Sequence, residues 1–129
     1  MKKICLLLLS TLIFATTSKG EEEKYAEIQF DTLTISLGTF SEKDALRTCS
    51  FTFKNVGTAP LIIHQAFASC GCTTPDFPKT PIKPGETGSI GVTYNGEGRP
   101  YGRFTKKIII RCNGTTEVVR LTIEGEMKE

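Results

Sequence analysis

The residues of this 129-residue chain best suited to chemistry are Cys5, Cys49, Cys70, Cys72 and Cys112, together with the single histidine, His64. Cys70 and Cys72 are separated by one glycine and precede a proline-rich stretch, so three chemistries are open to them. As disulfide partners they would pin a loop, a bridge of this kind stabilising by about 2–4 kcal/mol. As thiolates joined by His64 they would make a soft set of two sulfurs and one nitrogen, suited to copper(I) or zinc. As an exchanging pair they would close a small ring across Gly71, and strained bridges are the more oxidising ones. The surrounding sequence favours structural bridges. His64 lies six residues before Cys70 on an expected strand, so its side chain need not face the loop. No helix N-terminus follows Cys72 and the nearest downstream cation is Lys79, so nothing in the sequence lowers either thiol pKa. The disulfide candidates are therefore Cys49, Cys70, Cys72 and Cys112, with no metal or cofactor expected; the alternative is a copper or zinc site at Cys70, Cys72 and His64.

Disulfides require an oxidising compartment, and the N-terminus supplies a route to one. Lys2 and Lys3 precede an apolar run from Ile4 to Ala15, followed by the small residues Ser18 and Gly20 at the positions a signal peptidase reads. The run is shorter than the roughly 20 apolar residues a membrane span needs. Residues 1–20 read as a signal peptide, leaving 21–129 as one exported domain in the periplasm or beyond. Cys5 departs with that segment, and four cysteines remain. Removing Lys2, Lys3 and Lys19 lowers the basic count from 16 to 13 against 14 acidic residues. A near-neutral domain of this kind is not a nucleic-acid binder, whose pI normally exceeds about 9.

Catalytic patterns are absent. No serine carries the glycine flanks of a nucleophile elbow. The glycines from Gly85 to Gly91 follow a proline turn and precede a strand, not the helix of a phosphate loop. No catalytic or cofactor-binding residue is assigned.

The elements that would position the cysteines are strands. Ala26, Ile28 and Phe30 alternate with polar neighbours, whereas Leu33, Ile35 and Leu37 alternate in the opposite phase. Such a slip turns every side chain to the other face, so it marks a bulge or a strand that changes sheets. Arg47 to Lys54 alternates with Cys49 on the apolar side. Leu61 to Ala68 reads as a strand buried on both faces. Four prolines between Pro75 and Pro84 make residues 69–85 irregular, and Pro84-Gly85 suits a type II turn. After Ser89 to Tyr94, the segments Phe104 to Cys112 and Thr116 to Glu124 are joined through Asn113-Gly114, the preferred type I′ dipeptide. The pattern predicts an all-β, immunoglobulin-like antiparallel β-sandwich of about seven strands.

The run Phe51-x-Phe53-x-Asn55-x-Gly57-x-x-Pro60-Leu61-x-Ile63, followed by Ser69-Cys70-Gly71-Cys72-Thr73, Pro84-Gly85, Gly102-x-Phe104 and Ile123-x-Gly125, resembles the bacterial domain-of-unknown-function family 1573 over residues 30 to 126. That family is found mainly in exported proteins of Bacteroidetes-like bacteria and is similar to major-sperm-protein and Hydin-type immunoglobulin-like domains. The absence of Trp agrees with that variant of the sandwich rather than with antibody-type domains. The resemblance implies a fold and a compartment, not a reaction. The expected function is a non-catalytic envelope module that binds a protein partner through a sheet edge or end loops. In such a sandwich Cys49 and Cys112 lie at heights about five residues apart, or ~16 Å, too far for a bridge. Cys49 is therefore expected to bridge the Cys70–Cys72 loop, leaving Cys112 unpaired.

Overall fold

The computed structural model describes residues 23–129, so the expected signal peptide of residues 1–20 and its cleavage boundary lie outside the described residues. Eight strands follow in chain order: β1 (Ile28–Phe30), β2 (Thr34–Ser41), β3 (Leu46–Asn55), β4 (Ile63–Ala68), β5 (Thr73–Asp76), β6 (Thr87–Asn95), β7 (Gly102–Cys112) and β8 (Val118–Lys128). They form two four-stranded sheets, β1-β3-β6-β5 and β2-β8-β7-β4. The phase slip near Asp31 is a change of sheet, since β1 pairs with β3 in one layer and β2 with β8 in the other. The β2–β8 ladder is parallel, whereas the other ladders within the two sheets are antiparallel.

Alternation builds the core. Phe51 and Phe53 of β3 and Ile90, Val92 and Tyr94 of β6 meet Ile108 and Ile110 of β7 and Leu121 and Ile123 of β8 in one buried cluster. Each such side chain contributes about 1.5–3 kcal/mol by leaving water. Tyr94 and Phe104 stack with ring centroids 4.2 Å apart, and Phe40 packs edge-on to both. At one pole the buried Asn55 gathers the turns around β3 and β4. Its Nδ2 donates to the carbonyls of Ala59 (2.8 Å) and Ile82 (2.9 Å), and its Oδ1 accepts from the N–H groups of Gly57 and Glu27.

Three local expectations are corrected. The segment from Leu61 to Ala68 is not buried on both faces: β4 is an edge strand, and Ile62 and Phe67 are exposed. An apolar run alone does not distinguish a central strand from an edge. The supposedly irregular stretch contains β5, an eighth strand, in which Pro75 pairs with Val92. Proline is tolerated there because β5 is also an edge and its missing N–H falls on the unpaired side. The Asn113-Gly114 turn is not type I′, which needs positive φ at both residues, because neither adopts positive φ. Asn113 instead uses its side chain, Oδ1 accepting from Ile62 N–H at 2.7 Å and Nδ2 donating to the Pro60 carbonyl at 3.1 Å. The turn at Pro84-Gly85 does have type II character, with Gly85 at φ 84° and Glu86 N–H donating to the Lys83 carbonyl.

Candidate functional site: the β4 edge and its cysteine loop

β4 runs along the side of the sandwich with β7 as its only ladder partner among the described residues, and the chain then crosses at residues 69–72 to β5 in the opposite sheet. A register shift between Ile63 and Gln65 leaves His64 exposed in the irregularity. Beyond it the inward positions are Ala66 and Ala68, which pack against the core, and the outward ones are Gln65 and Phe67. Two alanines make a thin inner wall. On the outer face Phe67 pairs across to Ile109, and Gln65 to Arg111. One strand further, Ile109 pairs with Arg120, Arg111 with Val118 and Lys107 with Thr122. Arg111 lies 6.0 Å from the Phe67 ring centroid, and Lys107 Nζ donates to Thr122 Oγ1 at 2.9 Å. The outward positions next to this edge thus carry Lys107, Arg111 and Arg120 around Phe67, Ile109 and Val118; the first carboxylate along outward β8 is Glu124.

At the end of β4 the structure joins Cys70 to Cys72 in a disulfide with Cα atoms 5.1 Å apart, and leaves Cys49 and Cys112 as thiols. The expected bridge from Cys49 to this loop is therefore not formed. Register gives the reason. Cys49 of β3 lies opposite Val92 of β6, which lies opposite Pro75 of β5. Two strand spacings, about 9.5 Å, then separate β3 from β5, beyond disulfide reach of about 4.4–6.8 Å. Burial pushes both free thiols above the ordinary range; for Cys112 a backbone hydrogen bond from Gly114 opposes the shift and Glu117 adds to it.

Nor does the alternative metal set converge. Four strand residues, about 13 Å, separate His64 from Ala68 before the loop begins. The Cys70 and Cys72 sulfurs are bonded to each other and offer no thiolates in this form. Among the described residues no three His, Cys, Asp or Glu side chains are grouped as a metal site. No helix among them is long and apolar enough to cross a bilayer.

The basic and apolar patch beside β4 escaped the sequence reading because its members come from three strands. Only the register of β4, β7 and β8 brings Phe67, Arg111 and Arg120 together.

Comparison with known proteins supplies a family and a fold. The family model described as "Protein of unknown function (DUF1573)" matches residues 28–127. A protein of unknown function from Porphyromonas gingivalis W83 is similar in structure, with a TM-score of 0.69 at 19% identity over 80% of this chain and 47% of that one. This chain thus spans about half the length of that protein. The ASH/PapD-like domain 7 of human CEP192 gives 0.64 at 11% identity, over 81% of this chain and 87% of that one. The YadV chaperone gives 0.59 at 13% identity, over 79% and 52%. No curated protein matches the chain. At these identities the likenesses establish the immunoglobulin-like, PapD-like sandwich and nothing more specific.

Proposed function

The chain belongs to the DUF1573 family of proteins of unknown function, and on that premise we propose that it is an exported, non-catalytic binding module of the bacterial cell envelope that takes an extended segment of a partner protein along the open edge of β4. The observation that carries this reading is the β4 edge itself: unpaired on one side among the described residues, apolar at Phe67, thin-walled at Ala66 and Ala68, and flanked by Lys107, Arg111 and Arg120. An added strand takes its affinity from main-chain hydrogen bonds and its specificity from alternate side chains. Here the alternation is legible. Inward residues of the ligand would cover Ala66 and Ala68 and should be apolar, whereas outward ones would face three cations and should be acidic. The basic n-region and apolar run of residues 1–20 support the exported setting. The fold shared with a chaperone is compatible with a protein ligand.

Calorimetric titration of the protein lacking residues 1–20 with two synthetic peptides tests this. A peptide alternating Val and Glu is expected to bind, and one alternating Val and Lys is not. Arg111→Glu combined with Arg120→Glu should weaken the first at least about tenfold, and added salt should weaken it as well. Equal binding of the two peptides, or binding indifferent to the charge reversals, would contradict the assignment.

A further inference from the structure

Strand docking requires no thiol chemistry, and it leaves the Cys70–Cys72 disulfide without a task. The two sulfurs have different surroundings. Cys72 is 5% exposed, and its carbonyl accepts from Asn95 N–H at 2.8 Å. Its Sγ lies 3.4 Å from Oγ1 of the buried Thr73. Cys70 is more open, and its Sγ accepts from Cys72 N–H at 3.2 Å. Gly71 is exposed, and a Cβ built on it would meet nothing within 4 Å, so the approach to the loop is clear. Ala68 pairs with Ile108, and two residues further along β7, on the line leading towards Cys70, stands Lys106.

We propose that this disulfide is a thiol–disulfide exchange site for a partner dithiol, with Cys70 the attacked sulfur and, once reduced, the nucleophile, and Cys72 the leaving and resolving sulfur. Access decides which sulfur is attacked, and it favours Cys70. A partner thiolate forms a bond to Cys70 Sγ; the bond between Cys70 and Cys72 breaks and its electron pair passes to Cys72 Sγ. The Thr73 hydroxyl is placed to donate to the thiolate so formed. The partner's second thiol loses its proton and attacks the partner sulfur of the mixed disulfide, releasing Cys70 as a thiolate towards the Cys72 N–H. The partner departs as a disulfide. Cys70 and Cys72 hold its two electrons and take up the two protons it gave.

Two measurements test the site. The intact protein, treated with dithiothreitol and then iodoacetamide, should become alkylated at Cys70 and Cys72 while the buried thiol of Cys112 stays unmodified by mass spectrometry. With glutathione disulfide, Cys70 in the Cys72→Ser variant should form the mixed disulfide at least about tenfold faster than Cys72 in Cys70→Ser. Reduction that appears only as the buried Cys112 also reacts, hence only on unfolding, would overturn the proposal even if the variants failed to fold. Equal or reversed rates in the two variants would overturn the assignment of roles. Neither readout depends on peptide binding at β4, so each reading can fail alone.

Discussion

Asn55 shows how much a single polar side chain can organise when it is buried. All four hydrogen-bonding positions of its amide are used, two towards Ala59 and Ile82 and two towards Glu27 and Gly57. Asn55→Ala therefore strands several backbone groups at one pole and is expected to cost about 2–4 kcal/mol, read as a lowered urea midpoint. An unchanged midpoint would mean that the turns hold without it. The free thiols make a second prediction at this scale. Burial raises the pKa of Cys49 and Cys112 in the folded chain, whereas in the unfolded chain both titrate near about 8.5. The unfolded state thus releases its protons first as pH rises. The stability these groups contribute is whole below the unfolded pKa and is lost as pH climbs through the folded values. Stability should decline as pH rises from about 8.5 towards the raised folded values, and the Cys49→Ala, Cys112→Ala double variant should decline less steeply there; parallel slopes would contradict the assignment.

At the scale of elements, strands whose one face is core and other face solvent were legible in the sequence. β3, β6, β7 and β8 all alternate, and the reversed phase before β2 marked the change of sheet. Edge elements were not legible. β4 looks like a central strand because Leu61, Ile62 and Ile63 are contiguous, and β5 looks like loop because Pro75 interrupts it. Both judgements turn on which neighbour is missing, a property of the sheet and not of the segment. The cysteine motif was visible, but four cysteines admit three full pairings and partial ones besides, and sequence does not choose among them. Asn113 is the same lesson in one residue, since Asn-Gly favours a type I′ turn that the structure does not make. In that turn type a glycine would be welcome at the first position. Here Asn113→Gly removes the ties to Ile62 and Pro60 and should cost about 1–2 kcal/mol in thermal or chemical unfolding. A neutral substitution would restore the hairpin reading.

At the scale of the whole molecule, the described residues present four sheet edges, and they are not equivalent. β1 is three residues long, β5 carries Pro75, and β2 has a register shift between Ser36 and Thr39 with Gly38 at positive φ. Short strands, proline and bulges are devices that discourage edge pairing. β4 has an irregularity only near its start, then continues through Ala66, Phe67 and Ala68 towards the Cys70–Cys72 loop. A partner strand laid there would extend the β2-β8-β7-β4 sheet by one. Residue-resolved amide hydrogen exchange, with and without the Val/Glu peptide, tests this most directly. Strand addition requires that amides of β4 facing away from β7 exchange rapidly in the free protein and become protected when the peptide binds, with β1, β2 and β5 unchanged. Protection centred on any other edge, or none on β4 at saturating peptide, would contradict it.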